Sequence, residues 1–274
     1  ILRESAVSWR MKFNMARNWN RFEKSYSGKD VVDGDGTLLV VGRPLNGLYV
    51  WAHRGYYNSD AEVPRLYKID GQEIYFNGVA TDGISGAVGN YRLLDLDGDG
   101  NPDSYYAGSP LPLAHGGWVN ELMWKNFDLN VLVNFTIGRK MINNRMGLGF
   151  STQSENGHLP KLFDYRKLRP WDGVNKNPNA PAWGNSLSMN TDSAIEKVHH
   201  LALKQITLGY NLPDRISKKA GLSGVRFFLT AENLFYLSNY SGGNPEVVNI
   251  YTGRDNGDTY PLPRKYTLGL TLNF

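Results

Sequence analysis

The residues best suited to chemistry lie in Asp95-Leu96-Asp97-Gly98-Asp99-Gly100-Asn101-Pro102-Asp103. Oxygen ligands at positions 1, 3 and 5, with glycine at 6, can wrap one hard cation, and the glycine allows the sharp turn. Asp95, Asp97 and Asp99 fill those positions, Asn101 would add its backbone carbonyl, and Asp103 stands at position 9. The bidentate glutamate of a complete calcium loop is missing, with Tyr106 in its place. The same residues also suit an Asp/Gly turn made rigid without metal. The segment Val31 to Thr37, VVDGDGT, has too few acids for a site and reads as a turn. His199 and His200 are adjacent, so on a strand they point to opposite faces and cannot share one metal. No Ser/His/Asp set or metalloprotease pattern occurs, and no pair of acids is placed by sequence in one cleft, so no catalytic residue is assigned and no enzyme is expected. Tyr49, Trp51, Tyr56, Trp171, Trp183 and Tyr240 fall in loops. They could stack on a sugar or peptide, or simply pack the loops and contact a partner.

The elements that hold these loops are strands. Within 264–274, RKYTLGLTLNF, Tyr266, Leu268, Leu270, Leu272 and Phe274 share one parity, and Lys265, Thr267, Gly269, Thr271 and Asn273 the other. Alternate side chains of a strand point to opposite faces, so one face is apolar and one polar. About nine to eleven tilted residues span a bilayer. The same alternation predicts strands over 5–16, 117–124, 127–137, 198–210 and 223–235. In 5–16, Val7, Trp9, Met11, Phe13 and Met15 oppose Ser8, Arg10, Lys12 and Asn14. In 127–137, Phe127, Leu129, Val131, Val133, Phe135 and Ile137 oppose Asp128, Asn130, Asn134 and Thr136. Asn120 interrupts the apolar face of the second strand, and Phe228 the polar face of the fifth. The fourth changes parity between Leu203 and Ile206, which predicts a bulge near Lys204–Gln205.

Between the strands lie loops over 17–116, 138–193 and 238–261. Short strands are expected at Leu48–Ala52 and Glu73–Phe76, and a short helix in PKLFDYRKLRPW, 160–171. Long and short connections alternate along the chain. Outer-membrane barrels have short periplasmic turns and long extracellular loops, whereas a soluble sandwich has no reason to sort loop length by parity. If Phe274 is at the periplasmic end, every long loop is extracellular.

The rest of the composition fits. The 274 residues carry a net charge of +4 without a dense basic run, which gives no support to nucleic-acid binding. No apolar run approaches the ~18 residues of a membrane helix. A mean hydropathy of −0.43 does not exclude a barrel, in which only alternate strand residues meet lipid. Cysteine is absent, and there is neither an initiator Met nor a signal peptide at Ile1.

Several segments, in order, resemble the C-terminal part of SusC/RagA-type TonB-dependent outer-membrane transporters: FNMARNWNRF, VGRPLNGLYVWAHRGYY, YRLLDLDGDGNPD, WKNFDLNVLVNFTIGRKMIN, LKQITLGYNLP with AENLF, and YPLPRKYTLGLTLNF. Asp97 stands where the family usually has Asn. The resemblance implies an all-β fold: an antiparallel transmembrane β-barrel segment, the C-terminal arc of about six strands from a 22-stranded barrel, in the outer membrane of a Gram-negative bacterium. The plug and N-terminal barrel strands are absent. The resemblance further implies active import of a glycan or peptide nutrient, with a SusD-like surface lipoprotein as partner, TonB as energy source, and lipid and lipopolysaccharide around the wall. Ca2+ would be structural, and no organic cofactor is expected. The alternatives are a secreted, calcium-stabilised glycan-binding β-domain and a passive outer-membrane pore.

Three structural expectations follow. Trp9, Trp118, Trp124, Tyr210, Tyr266 and Phe274 lie on the outer surface. Arg10, Lys12, Asp128, Asn130, Arg226 and Glu232 face the lumen. Six strands do not close a ring, because single-chain bacterial barrels have at least eight, so the first and last strands stay unpaired with each other.

Overall fold

The computed structural model describes residues 7–32, 38–63, 65–67, 73–75, 88–98, 103–144, 169–175, 177–182, 191–257 and 259–274. Its strands are β1 (Val7–Ala16), β2 (Val31–Val32), β3 (Leu38–Leu39), β4 (Leu48–Trp51), β5 (His53–Tyr56), β6 (Arg65–Tyr67), β7 (Glu73–Tyr75), β8 (Tyr91–Leu93), β9 (Ser104–Gly108), β10 (Ala114–Trp124), β11 (Phe127–Asn143), β12 (Ile195–Asn211), β13 (Gly224–Ser238), β14 (Arg254–Asp255) and β15 (Lys265–Asn273). The six long strands form one antiparallel sheet in the order β1-β10-β11-β12-β13-β15, and β14 adds a short parallel pairing to β11. Each strand pairs with its neighbour in this series, and β1 and β15 do not pair with each other. The sheet is an open arc, as expected for six strands.

The register lines up the faces of all six strands. One row runs Trp9, Leu122, Leu129, Leu208, Leu229, Leu268. The next row toward the short turns runs Val7, Trp124, Phe127, Tyr210, Phe227, Leu270. Within it the Trp124 and Phe127 rings lie 6.2 Å apart and the Phe127 and Tyr210 rings 4.6 Å apart. Trp9, Trp124, Tyr266 and Phe274 are exposed on this face, and Leu268 is 81 % exposed. Tyr210, in the second row, and Trp118, in a further apolar row with Phe13 and Val133, are half-covered by neighbouring rings, Phe127 and Phe135. Among the described residues no second sheet packs on these rows, as the facing sheet of a sandwich would.

The opposite face is polar and its charges are paired. Its central row is Arg10, Glu121, Asn130, Thr207, Thr230, Thr267. Glu121 receives Lys12 at 2.7 Å and Arg10 at 3.5 Å. Arg226 Nη2 meets Asp128 Oδ2 at 2.6 Å, and Lys265 meets Glu232 at 3.5 Å. Thr207 and Thr230 share a hydrogen bond of 2.9 Å. Side chains that would be costly in an apolar core are satisfied here by partners across the strands.

Three irregularities in the sequence pattern have local causes. Leu203 pairs with Val133 and Gln205 with Leu132, so Lys204 is the extra residue of a β-bulge that brings Ile206 and Leu208 back to the apolar face. Asn120 sits on the apolar face because its Oδ1 accepts the indole N–H of Trp9 at 3.3 Å. Phe228 lies on the polar face because its ring covers Gly269 across the strand pair, where an added Cβ would stand 2.0 Å from Phe228 Cζ.

Strand boundaries extend past the sequence pattern at the loop end: β10 begins at Ala114 rather than 117, and β13 ends at Ser238 rather than 235. β11 runs on to Asn143 rather than ending near 137, and β12 begins at Ile195 rather than 198. The short turns fall at one end of the sheet: Lys125–Asn126, where Lys125 has φ 53°, and 212–223, which holds the short helix Asp214–Ser217. Connections 17–113, 144–194 and 239–264 lie at the other end. Short strands at Leu48–Trp51 and Glu73–Tyr75 occur where the composition pointed to them. The helix expected in 160–171 falls mostly outside the described residues.

With Leu270 in the apolar row and Thr271 opposite Arg226 on the polar face, the two positions should respond differently to charge. In the intact barrel, Leu270→Arg is expected to cost about 2–4 kcal/mol at mid-membrane, and Thr271→Glu much less. Urea titration of folding into lipid vesicles measures both. Equal losses would contradict the assigned faces.

Candidate functional site

At the end of the sheet away from the short turns, the β11/β12 hairpin projects as a stem that is covered on both faces. On one side Ile142 packs with Leu48, Val50 and Ala107 of β4 and β9, backed by Tyr105, Ala194 and Ile195. On the other, Met141 and Val198 pack with Tyr240 and Val248 of the 239–264 connection. The loop layer is built around this stem.

Arg139 fixes that layer. Its side chain is buried, and its guanidinium donates to four main-chain carbonyls: Pro110 at 3.2 Å, Pro245 at 3.1 Å, Val248 at 2.8 Å and Asn249 at 2.7 Å. Five donors in a rigid fork let one arginine hold two separate connections. Lys204, the bulge residue, adds an ion pair to Glu246 at 3.3 Å, and Asn244 caps the turn at Pro245–Val247 by accepting the Glu246 N–H at 2.9 Å.

The acidic loop hangs between β8 and β9. Its base is closed by main-chain bonds from Asp103 N–H to Leu94 O, 2.9 Å, and from Leu94 N–H to Ala52 O, 2.9 Å. Asp103 Oδ2 turns inward and accepts Leu96 N–H at 2.7 Å, while Asp95 Oδ1 accepts Gly98 N–H at 2.6 Å. One carboxylate oxygen each from Asp95, Asp97 and Asp103 lies within 4.8 Å of the others. Oxygens that each lie ~2.3–2.6 Å from a common cation are separated by up to roughly twice that, so the spacing suits a calcium-sized ion. Asp99 and Asn101 lie outside the described residues.

The aromatic residues divide. Tyr49 stacks obliquely on Tyr106 at 5.7 Å, and the Arg43 guanidinium sits 4.9 Å over the Tyr106 ring. Tyr56 stacks on Tyr91 at 5.5 Å, and His53 meets the edge of the same ring at 4.9 Å. Burial, reinforced by Tyr91, pushes the Tyr56 phenol well above its usual range. Trp51 is half-buried and bridges to Thr191. Trp171 donates to Asn58 Oδ1 at 3.1 Å and fills the space over Gly89. Tyr240 does not fit a stacking role: it is 8 % exposed, packs on the stem, and its hydroxyl donates to buried Asp255 at 2.7 Å. Its expected place among ligand-contacting rings is corrected to the core. Trp183 lies outside the described residues.

Sequence reading missed the centre of this layer. Asp192 joins His53 Nδ1 on one oxygen and accepts from the Tyr105 hydroxyl on the other at 3.2 Å, while Ser193 Oγ donates to Tyr91 OH at 3.2 Å. These partners come from β5, β8, β9 and the turn before β12, so no local spacing announces them. Arg139 was also missed. Its one local signal is its place after Gly138, where the β11/β12 register breaks.

Arg139→Met should remove four hydrogen bonds from carbonyls without leaving a buried charge. An expected loss of about 2–4 kcal/mol in local stability should appear as faster amide exchange and proteolysis in 109–113 and 244–250. The β10–β13 ladder should keep its protection.

No protein-family model matches the chain. Among curated proteins, it is 26 % identical to TonB-dependent receptor P3 of Formosa agariphila, over 97 % of this chain and 27 % of that protein. It is 27 % identical to TonB-dependent receptor P26 of the same organism, over 100 % of this chain and 28 % of that protein. It is 27 % identical to TonB-dependent receptor SusC of Bacteroides thetaiotaomicron, over 97 % of this chain and 24 % of SusC. The chain thus spans about a quarter of the length of the relatives it matches. Its structure superposes over its full length on 28 % of a chain in the RagAB peptide transporter, with a TM-score of 0.69 at 23 % identity. That likeness shows the fold.

Proposed function

Because the chain is related over its whole length to SusC/RagA-type TonB-dependent receptors, we propose that it forms part of the wall and loop layer of an outer-membrane importer. The observation that carries this reading is the run of apolar rows across six antiparallel strands, uncovered on that face and backed by a polar face of paired charges. Further strands complete the barrel on the open edges of β1 and β15. The short turns are periplasmic, the long connections extracellular, and the last strand descends to the periplasm. The cargo is a glycan or peptide too large for a simple pore, TonB supplies the energy, and a SusD-like lipoprotein meets the loop layer. The same layer offers Tyr49, Trp51, Tyr56 and Trp171 as candidate contacts for cargo or partner.

We further propose that Asp95, Asp97 and Asp103, completed by Asp99 and Asn101, hold a structural Ca2+. A cation would offset the mutual repulsion of the clustered carboxylates and stiffen the β8–β9 turn.

The transport reading is tested by uptake of labelled oligosaccharides and peptides in cells carrying the intact protein. Uptake should stop when the proton gradient is dissipated or TonB is removed. Persistence would mean a passive pore. The metal reading is tested with terbium, whose luminescence nearby Tyr and Trp rings sensitise. Calcium should compete it away, and Asp97→Asn should weaken binding by ~tenfold or more for the loss of one charged ligand. No saturable signal from the intact protein would refute the calcium site.

A further inference from the structure

Between the polar face of the wall and the two connections that Arg139 holds lies a cavity of about 660 Å3. That size is within the ~300–1,000 Å3 of ligand pockets. Three successive rows of the polar face floor it: Lys12, Val119 and Leu132; Asn14, Gly117 and Asn134; His115, Thr136 and His200. Pro112 from one connection, and Glu246, Val248 and Ile250 from the other, complete the lining. Phe13 and Phe135 border it, but their side chains belong by parity to the apolar face, where the rings stack on each other at 5.9 Å.

The charges around this cavity already have partners. Lys12 meets Glu121 at 2.7 Å, Glu246 meets Lys204 at 3.3 Å, and the Arg139 guanidinium is taken up by four carbonyls. The groups still open to a ligand are neutral. Two carboxamides meet over Gly117, where an added Cβ would stand 2.7 Å from Asn134 Oδ1. Asn14 Oδ1 accepts the Gly117 N–H at 2.7 Å, which leaves Asn14 Nδ2 as a donor. The Asn134 carboxamide and the Thr136 hydroxyl have no hydrogen bond among the described residues. The His200 side chain is 8 % exposed, and its Nε2 faces Glu246 Oε1 at 3.9 Å. With the proton on that nitrogen, Nδ1 is a buried acceptor, and it has no partner among the described residues.

This chemistry selects among ligands. With every lining charge engaged, nothing favours an ionised group. No aromatic face is turned inward on which a sugar ring could stack. A secondary amide presents one donor and one acceptor in fixed geometry, and a carboxamide answers both. Val119, Leu132, Val248 and Ile250 suit aliphatic side chains beside such amides. An extended peptide repeats that combination along its length. We propose that the cavity binds the main chain of a short, uncharged stretch of peptide, so that the imported cargo is peptide recognised with little regard to sequence. Asn134 pairs with one peptide group, Asn14 Nδ2 and Thr136 Oγ1 with its neighbours, and a peptide N–H supplies the donor that His200 Nδ1 lacks. The proposal rests on the importer reading above and narrows the cargo that it left open.

The test is calorimetric binding to the intact receptor in mild detergent, which needs no TonB. The probes are end-blocked pentapeptides of alanine, valine and leucine in different orders, the same peptides with alternate amides replaced by esters, and oligomers of glucose and of N-acetylglucosamine. Peptides of different order should bind alike, and the ester analogues about tenfold more weakly. Asn134→Leu should weaken every peptide by about tenfold, and Thr136→Val by less. Thr230→Val, on the same face but outside the lining, should change nothing. Heat-modifiable migration on gels confirms that each variant is folded. Peptide binding unchanged by Asn134→Leu, equal binding of the ester analogues, or tighter binding of either oligosaccharide than of the peptides would overturn the proposal. A receptor that binds peptides yet takes up nothing in energised cells would refute the importer reading alone. Energised uptake of an oligosaccharide by a receptor that binds no peptide would refute the peptide assignment alone.

Discussion

The constraint on which this structure depends is main-chain hydrogen bonding where there is no water. A strand in hydrocarbon must give every N–H and C=O a partner, because each unpaired group costs several kcal/mol. The five ladders from β1 to β15 meet that requirement across the arc. They also determine everything laid upon them. Once the register is set, the apolar residues fall into rows and the charges meet their counter-charges. A one-residue slip would turn Arg10, Glu121 and Asp128 toward lipid. The bulge at Lys204 is the permitted exception: it shifts parity while keeping the flanking pairs.

Past the membrane the constraint relaxes and another takes over. The β11 part of the stem, Arg139 to Asn143, is covered on both faces, so its backbone and its polar side chains must be satisfied by protein. Arg139 does this for four carbonyls, and Glu196, Asn143 and Ser241 form a closed set beside it. The described parts of the loop layer are therefore packed on the stem, which gives the base of the acidic turn and the aromatic rings defined neighbours.

How much of this the sequence disclosed follows from which forces leave a periodic trace. Where one face meets lipid and one meets charge, alternation is strict, so 264–274 and 127–137 were legible residue by residue. The bulge was legible because parity changes at it. In Gly138-Arg139-Lys140-Met141-Ile142-Asn143 both faces are covered, the alternation ends, and the strand looked finished six residues early. Asn120 and Phe228 were exceptions until Trp9 and Gly269 were placed beside them, by pairings that sequence distance conceals. Tyr240 was misjudged because an aromatic in a polar loop carries no mark of whether its ring faces out or packs on a stem. The Asp192 centre joins residues from four separate elements, and only the folded chain brings them together.

The unequal connections also bear on the order of assembly. Strands β10 to β13 are linked by a two-residue turn, by 144–194 and by 212–223, whereas β1 must find β10 across 17–113. Closing a loop about eight times longer than 212–223, three doublings, costs roughly 2 kcal/mol more in chain entropy before any pairing is gained. The β10/β11 and β12/β13 hairpins are the contacts a nascent chain reaches soonest. β1 would then dock onto a wall already in register, and the 17–113 excursion would settle on the stem after the stem exists.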